Sequence, residues 1–255
     1  MKVFVGKRKT VFLGMALALA FVCSVCAVGG TGAYAALYGK PTKKLPIYSV
    51  ETLEKKVAIT FDAAWGVDYT DAILECLAEY QIPATFFLVE FWTKKYSSYV
   101  TKIHQAGHAI GTHSKTHAYM SKQSRGEQES ELTSSAKAIS DITGTPVTLF
   151  RAPYGDYSDS LIETAEKLGL YTLQWDVDSL DWKDLSAGEI AKRVVSKVQN
   201  GSIILMHNNG LHTAESLPLI FEALLSKGYQ FVRADHLIYK ENYEMDVTGR
   251  QHSLA

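Results

Sequence analysis

A disulfide framework is out of reach for this chain. It holds three cysteines in 255 residues, and two of them, Cys23 and Cys26, lie inside an N-terminal apolar run where their CxxC spacing is apolar filler. Cys76 is left alone, so stability has to come from a packed core. Net charge is equally scarce. With 26 Lys and Arg against 27 Asp and Glu, the formal charge is −1. That offers nothing to nucleic acid, which needs a concentrated basic patch. Internal repeats and low-complexity tracts are absent too, which excludes a disordered or fibrous chain.

What is present suits one globular domain. Hydrophobic residues make up 47% of the chain, enough for a sizeable core in a domain of about 200 residues. The N-terminus differs in kind. Lys2, Lys7, Arg8 and Lys9 precede an apolar run from Val11 to Val28, and Ala33-Tyr34-Ala35 offers a small-x-small cleavage site. Residues 1–36 are expected to be a signal peptide or an uncleaved membrane anchor. Positive charge ahead of the run leaves the domain outside the cytoplasmic membrane in either case, secreted or anchored to its outer face. Membrane contact is expected only through this segment. Residues 37–55, polar and proline-marked, read as a tether, 56–240 as the domain and 241–255 as a C-terminal tail.

Within the domain, apolar runs of strand length recur at 57–61, 84–88, 109–111, 148–151, 171–175, 202–206 and 230–232. Helical periodicity fills the gaps, over 70–81, 92–106, 125–143, 159–168, 186–199 and 214–227. Ser186 and Ser158 or Asp159 stand where N-caps belong. Alternation of this kind implies parallel strands with helices outside, in an open sheet or a barrel. The polar residues favour a barrel. Asp62, His113, Arg151, the group Asp176/Asp178/Asp181, and His207 each fall at or just past successive strand ends.

Each of these has its own chemistry. His113 and His117, three residues apart after a short strand, can meet one metal ion, or can be a chance pair near a helix start. His104 and His108 share the spacing but sit within a helix, and read as satisfied histidines. Arg151 at a buried strand end requires a carboxylate partner, for which Asp62 is the candidate. The Pro153-Tyr154-Gly155 turn after it leaves backbone N–H groups that can hold an oxyanion. The stretch 175–183, with three aspartates and two tryptophans, suits a sugar or a solvated acidic loop. His207 ends an apolar strand; paired with Asp181 it becomes a general acid.

Taken together, "TFDAAWG", "HSKTH", "RAPYG", "DSLDW" and "LMH" resemble, in order, the five motifs of the polysaccharide deacetylases, the NodB-homology domain of carbohydrate esterase family 4. The resemblance runs over about residues 55–240. It implies a distorted (β/α) barrel of seven parallel strands. It implies hydrolysis of N-acetyl groups on amino sugars of a cell-wall glycan, which is peptidoglycan or spore cortex. By that resemblance Asp62 matches the general base, Arg151 the residue that orients it, Asp181 the partner of the acid and His207 the acid. His113 and His117 match metal ligands for a divalent ion, expected to be zinc, with cobalt or manganese as alternatives. The Tyr154 N–H matches the oxyanion donor, and Trp182 and Leu205 the pocket walls. One position departs: where the family carries a second aspartate as third metal ligand, this chain has Ala63. The departure sets a catalytically weak or inactive glycan-binding pseudoenzyme beside the active deacetylase. "FDxxWG" resembles the PdaB-like, sporulation-associated branch. The oligomeric state is left open.

Overall fold

The computed structural model describes residues 42–254. The signal or anchor reading of 1–36 and the start of the tether lie outside the described residues. Among the described residues, no helix is long and apolar enough to cross a membrane.

The first strand is β1 (Ser49–Val50), followed by β2 (Lys56–Ala63), α1 (Thr70–Glu79), β3 (Thr85–Leu88), α2 (Glu90–Lys95), α3 (Ser97–Gln105) and β4 (Ala109–Thr112). The middle holds α4 (Arg125–Thr143), β5 (Leu149–Phe150), α5 (Asp159–Lys167), β6 (Tyr171–Thr172), β7 (Val177–Asp178) and α6 (Ala187–Lys197). The chain ends with β8 (Ile203–His207), α7 (Thr213–Ser226), β9 (Gln230–Phe231), α8 (Ala234–Leu237), β10 (Tyr243–Met245) and β11 (Arg250–Ser253). Capping boxes start two helices: Ser124 with Glu127 opens α4 and Ser186 with Glu189 opens α6. Ser158 caps α5 through the Leu161 N–H.

Seven parallel strands form one curled sheet in the order β6-β5-β4-β3-β2-β8-β7, with β9 paired to the start of β2. This is the distorted (β/α)7 barrel that the family resemblance implied. The period of two along each strand sorts its side chains. In β2, Val57, Ile59, Phe61 and Ala63 pack into the helix-facing core, while Ala58 packs with Phe87 and Ile203 in a second core within the curl. Asp62 falls in register between Phe87 of β3 and His207 of β8. Tight parallel pairing is needed at Gly111, where a Cβ would sit 2.7 Å from the Phe87 ring.

Three expectations change. The run 171–175 is not one strand: it stops at Thr172, the chain turns through Trp175, and β7, unforeseen, begins at Val177. β6 and β7 do not pair, which leaves the barrel open between them. The segment expected to be a tether closes part of that gap. Ile47 bridges Leu173, with its N–H on Thr172 O at 2.8 Å, and the Val50 N–H bonds Gly201 O at 2.9 Å. A Cβ at position 201 would lie 1.7 Å from Val50 O, so only glycine fits there. The expected C-terminal tail is likewise folded: β11 pairs with β1 and β10 in a small separate sheet. Ile47 and Val50 are buried apolar residues and cannot stay in a solvated linker.

Candidate active site

The carboxyl ends of the strands open into a groove of about 890 Å³. At its floor, Asp62 is 6% exposed and Arg151 fully buried, with Nη1 donating to Asp62 Oδ1 at 2.8 Å. Arg151 also donates through Nη2 to Gln174 O at 3.1 Å, and its guanidinium lies 4.2 Å from the Phe87 ring centroid. Burial pushes the Asp62 carboxyl up. The charges of Arg151, His113 and His207 outweigh that and hold it below the usual carboxylate range.

His113 follows β4 directly. Its Nδ1 bonds the Arg151 carbonyl at 2.8 Å, so that nitrogen carries the proton. The bare Nε2 then faces Asp62 Oδ2 at 3.5 Å. His117 comes back to the same place because the backbone between them turns twice through positive φ, at Ser114 (73°) and His117 (57°). The Glu131 carboxylate of α4 holds this loop. It accepts the Lys115 and Thr116 N–H groups, each at 2.8 Å, and the Thr116 hydroxyl at 2.6 Å. The His117 ring stands between Trp65 and Tyr154, at 4.7 and 4.6 Å between centroids, and 5.0 Å from His113. Burial lowers the pKa of both imidazoles, that of His117 to about 4.

Across the groove, His207 Nδ1 meets Asp181 Oδ1 at 2.7 Å. The other Asp181 oxygen accepts the His207 N–H at 2.7 Å and the Thr213 hydroxyl at 2.6 Å. Burial lowers the His207 pKa, but the hydrogen bond and charge of Asp181 raise it further, and the net shift is upward. Tyr154 has φ of 61° within a single tight turn, and its ring stacks on Tyr119 at 4.3 Å. Leu205 is buried on the groove wall and Trp182 is exposed at its edge.

All nine residues singled out in the sequence thus gather around one groove. Of the three aspartates in 176–181, only Asp181 reaches His207. Asp176 accepts the Ser202 hydroxyl and the Ile203 N–H at the opposite end of β8, and Asp178 accepts the Leu180 N–H at 2.9 Å. His108 is a structural histidine, accepting the Ala84 N–H at 3.1 Å. Glu131, Thr213 and Asn208 carried no motif. Asn208 donates to Gly66 O and to the Thr70 hydroxyl, tying the loop after β2 to β8. These contacts join residues far apart in the chain.

The donor set for a metal is thin. Among the described residues, no group of three His, Cys, Asp or Glu side chains is arranged to hold an ion. Two neutral imidazoles, one with its Nε2 toward Asp62 and the other with a buried, unpartnered Nδ1, still fit a divalent cation as a pair. Ala63 is fully buried in the helix-facing core and adds no donor.

Residues 49–173 match the polysaccharide deacetylase family profile. The chain is 34% identical over 209 residues to the peptidoglycan-N-acetylglucosamine deacetylase PgdA of Listeria monocytogenes, covering 82% of this chain and 43% of that protein. It therefore spans less than half of that longer relative. A peptidoglycan-N-acetylglucosamine deacetylase of Bacillus cereus is 32% identical, over 75% of this chain and 92% of its own. A solved structure of a family 4 pseudoenzyme from Bacillus anthracis superposes with a TM-score of 0.73 at 30% identity, over 82% of this chain and 70% of that one. A mutant of a family 4 pseudoenzyme with restored enzymatic activity superposes equally well, at 31% identity.

Proposed function

This chain belongs to the polysaccharide deacetylase family, and on that premise we propose that it hydrolyses N-acetyl groups of amino sugars in peptidoglycan outside the cytoplasmic membrane. The products are acetate and a free amine on the sugar. The observation that carries the reading is the pairing of two oppositely tuned acid–base groups in register on adjacent strands. Arg151 holds the Asp62 pKa below the usual carboxylate range, and Asp181 raises that of His207 above the ordinary histidine value. A module that only binds glycan has no need of either pair.

The geometry supports the roles that the family resemblance implies. Asp62, ionised, takes a proton from a water aimed at the acetyl carbonyl. Arg151 keeps that carboxylate charged and fixed. The oxyanion that forms is assigned to the Tyr154 N–H, on a turn held at positive φ. His207 gives its proton to the nitrogen as the C–N bond breaks, and Asp181 compensates the charge before transfer. Leu205 and Trp182 line the space for the acetyl group and sugar ring. A divalent cation, with zinc as the first choice, would be held by His113 and His117, where it supplies Lewis acidity toward the carbonyl and the water.

A second reading is favoured by one position. With Ala63 in place of a carboxylate, the metal has only two histidines, and a groove that binds glycan without turnover fits that loss. The "FDxxWG" stretch supports a place in the sporulation-associated branch, and the basic and apolar N-terminus supports export.

Acetate release from chitooligosaccharide and purified peptidoglycan tests the two. Release that depends on zinc or cobalt and disappears in Asp62→Asn supports the enzyme. Glycan binding with no release under any metal supports the pseudoenzyme.

A further inference from the structure

The groove is walled by exposed rings and rimmed by charge of one sign. Trp65, Tyr119, Tyr154 and Trp182 are each more than half exposed. Phe91, Trp65, His117, Tyr154 and Tyr119 form an unbroken succession of ring contacts with centroid steps of 6.5, 4.7, 4.6 and 4.3 Å. Large apolar side chains left in water along a cleft mark a binding surface. Flat rings with polar groups between them suit the apolar faces of successive sugars.

The charge narrows the choice of sugar. Besides Asp62, which is neutralised by Arg151, the groove is lined by the carboxylates of Asp68, Asp178 and Asp184. No lysine or arginine is among the described residues that line it. Three cations beside these residues are turned to other work. The Lys183 ammonium lies 4.8 Å over the Trp182 ring, Lys122 lies 5.3 Å over the Tyr119 ring, and Arg193 donates to the Asp178 carbonyl at 2.7 Å from outside the lining. A ring carrying a free carboxylate would enter a site with three like charges, where the one cationic candidate in the lining, His207, is already paired with Asp181, whereas an ammonium would be attracted by both the rim and the ring faces.

We propose that the groove selects by charge. It accepts rings without a carboxylate, of the N-acetylglucosamine type, together with amine-bearing, partly deacetylated strands, and it rejects rings with a free carboxylate, as on muramic acid. The proposal rests on the glycan reading of the site but not on turnover.

Binding of three soluble glycans to the full chain tests it, followed by tryptophan fluorescence or calorimetry, with zinc and again in chelator so that a bound cation's charge is not mistaken for the rim's. The probes are a hexamer of N-acetylglucosamine, a hexamer of glucosamine, and an N-acetylglucosamine–N-acetylmuramic acid oligomer with free lactyl carboxylates. At low salt the glucosamine hexamer binds tightest, the acetylated hexamer next, and the acidic oligomer at least about tenfold more weakly than either. The spread narrows in about 0.5 M salt and in the double variant Asp68→Asn/Asp184→Asn, both exposed positions. Trp65→Ala weakens all three together. Equal or tighter binding of the acidic oligomer, an order unmoved by the double variant, or no binding of any probe overturns the proposal. Retention of the order with no acetate release would sink the deacetylase reading and leave the charge selection standing.

Discussion

Arg151 Nη1 and Asp62 Oδ1 meet at 2.8 Å across 89 residues of sequence, one side chain fully buried and the other nearly so. The pair holds a charge where solvent cannot, and each member is tolerable there only because of the other. Arg151→Ala is expected to cost about 3–5 kcal/mol in urea unfolding, since it strands a buried carboxylate. Arg151→Met combined with Asp62→Asn is expected to recover most of that loss while remaining inactive. If the double variant is no more stable than Arg151→Ala, the pair is not what makes the single change costly.

The pH profile should follow His207. Its pKa is raised, mainly by the Asp181 hydrogen bond and charge acting against burial, so it stays protonated to higher pH than an ordinary histidine. Activity is therefore expected to fall on the alkaline side as pH passes that raised value. Asp181→Asn removes the raising groups, and the alkaline limb is expected to move to lower pH. An alkaline limb that stays in place would take the acid role away from His207.

Ala63 is the position to repair. Ala63→Asp is expected to raise zinc affinity more than about tenfold by supplying a third ligand. It is also expected to lower stability in chelator by about 1–3 kcal/mol, because Ala63 lies in the helix-facing core. Calorimetric zinc titration and paired melts with and without metal read both effects. Equal destabilisation in the two melts, with unchanged affinity, would mean the new carboxylate stays on the core side of β2.

Glu131 touches no substrate but fixes the loop between the two histidines through three hydrogen bonds. Glu131→Ala is expected to lower zinc affinity about tenfold, as loss of a supporting shell does. It should also unfasten the loop, read as faster amide exchange at Lys115 and Thr116. An unchanged zinc affinity would reduce Glu131 to a local cap.

His252 ties the small sheet together, with Nδ1 on Glu51 at 2.7 Å and Nε2 on Asp246 at 2.9 Å. Burial lowers its pKa, but the two carboxylates raise it above the ordinary 6.5. Because the folded value is the higher one, this contribution to stability is complete below the unfolded value and is lost as pH rises through the folded one. His252→Gln is thus expected to lower the melting temperature at pH 6 and to change it little at pH 9. A loss equal at both values would show that packing, not charge, is what the histidine provides.

Much of this protein is determined by its local sequence. Strand and helix alternation, caps at Ser158 and Ser186, and the placement of Asp62, His113, Arg151 and His207 at strand ends are local patterns, set by side-chain period and by residues that bond their own neighbours. The absence of a third ligand at Ala63 is local as well. What only the tertiary structure decided is which distant groups meet. Asp181 rather than Asp176 reaches His207, because Asp176 is held at the opposite end of β8 by the Ser202 hydroxyl and the Ile203 N–H. Residues 47–50 and 243–253 look like polar ends in sequence, since strands of two to four residues are too short to show a period. Pairing with each other and with Gly201 makes them structure. Glu131 and Thr213 sit on helices with ordinary polar patterns, and their roles arise only when packing brings them within hydrogen-bond reach of the His113–His117 loop and of Asp181. Contacts between residues far apart in the chain leave no spacing to read, and they are what turned a set of strand ends into a site.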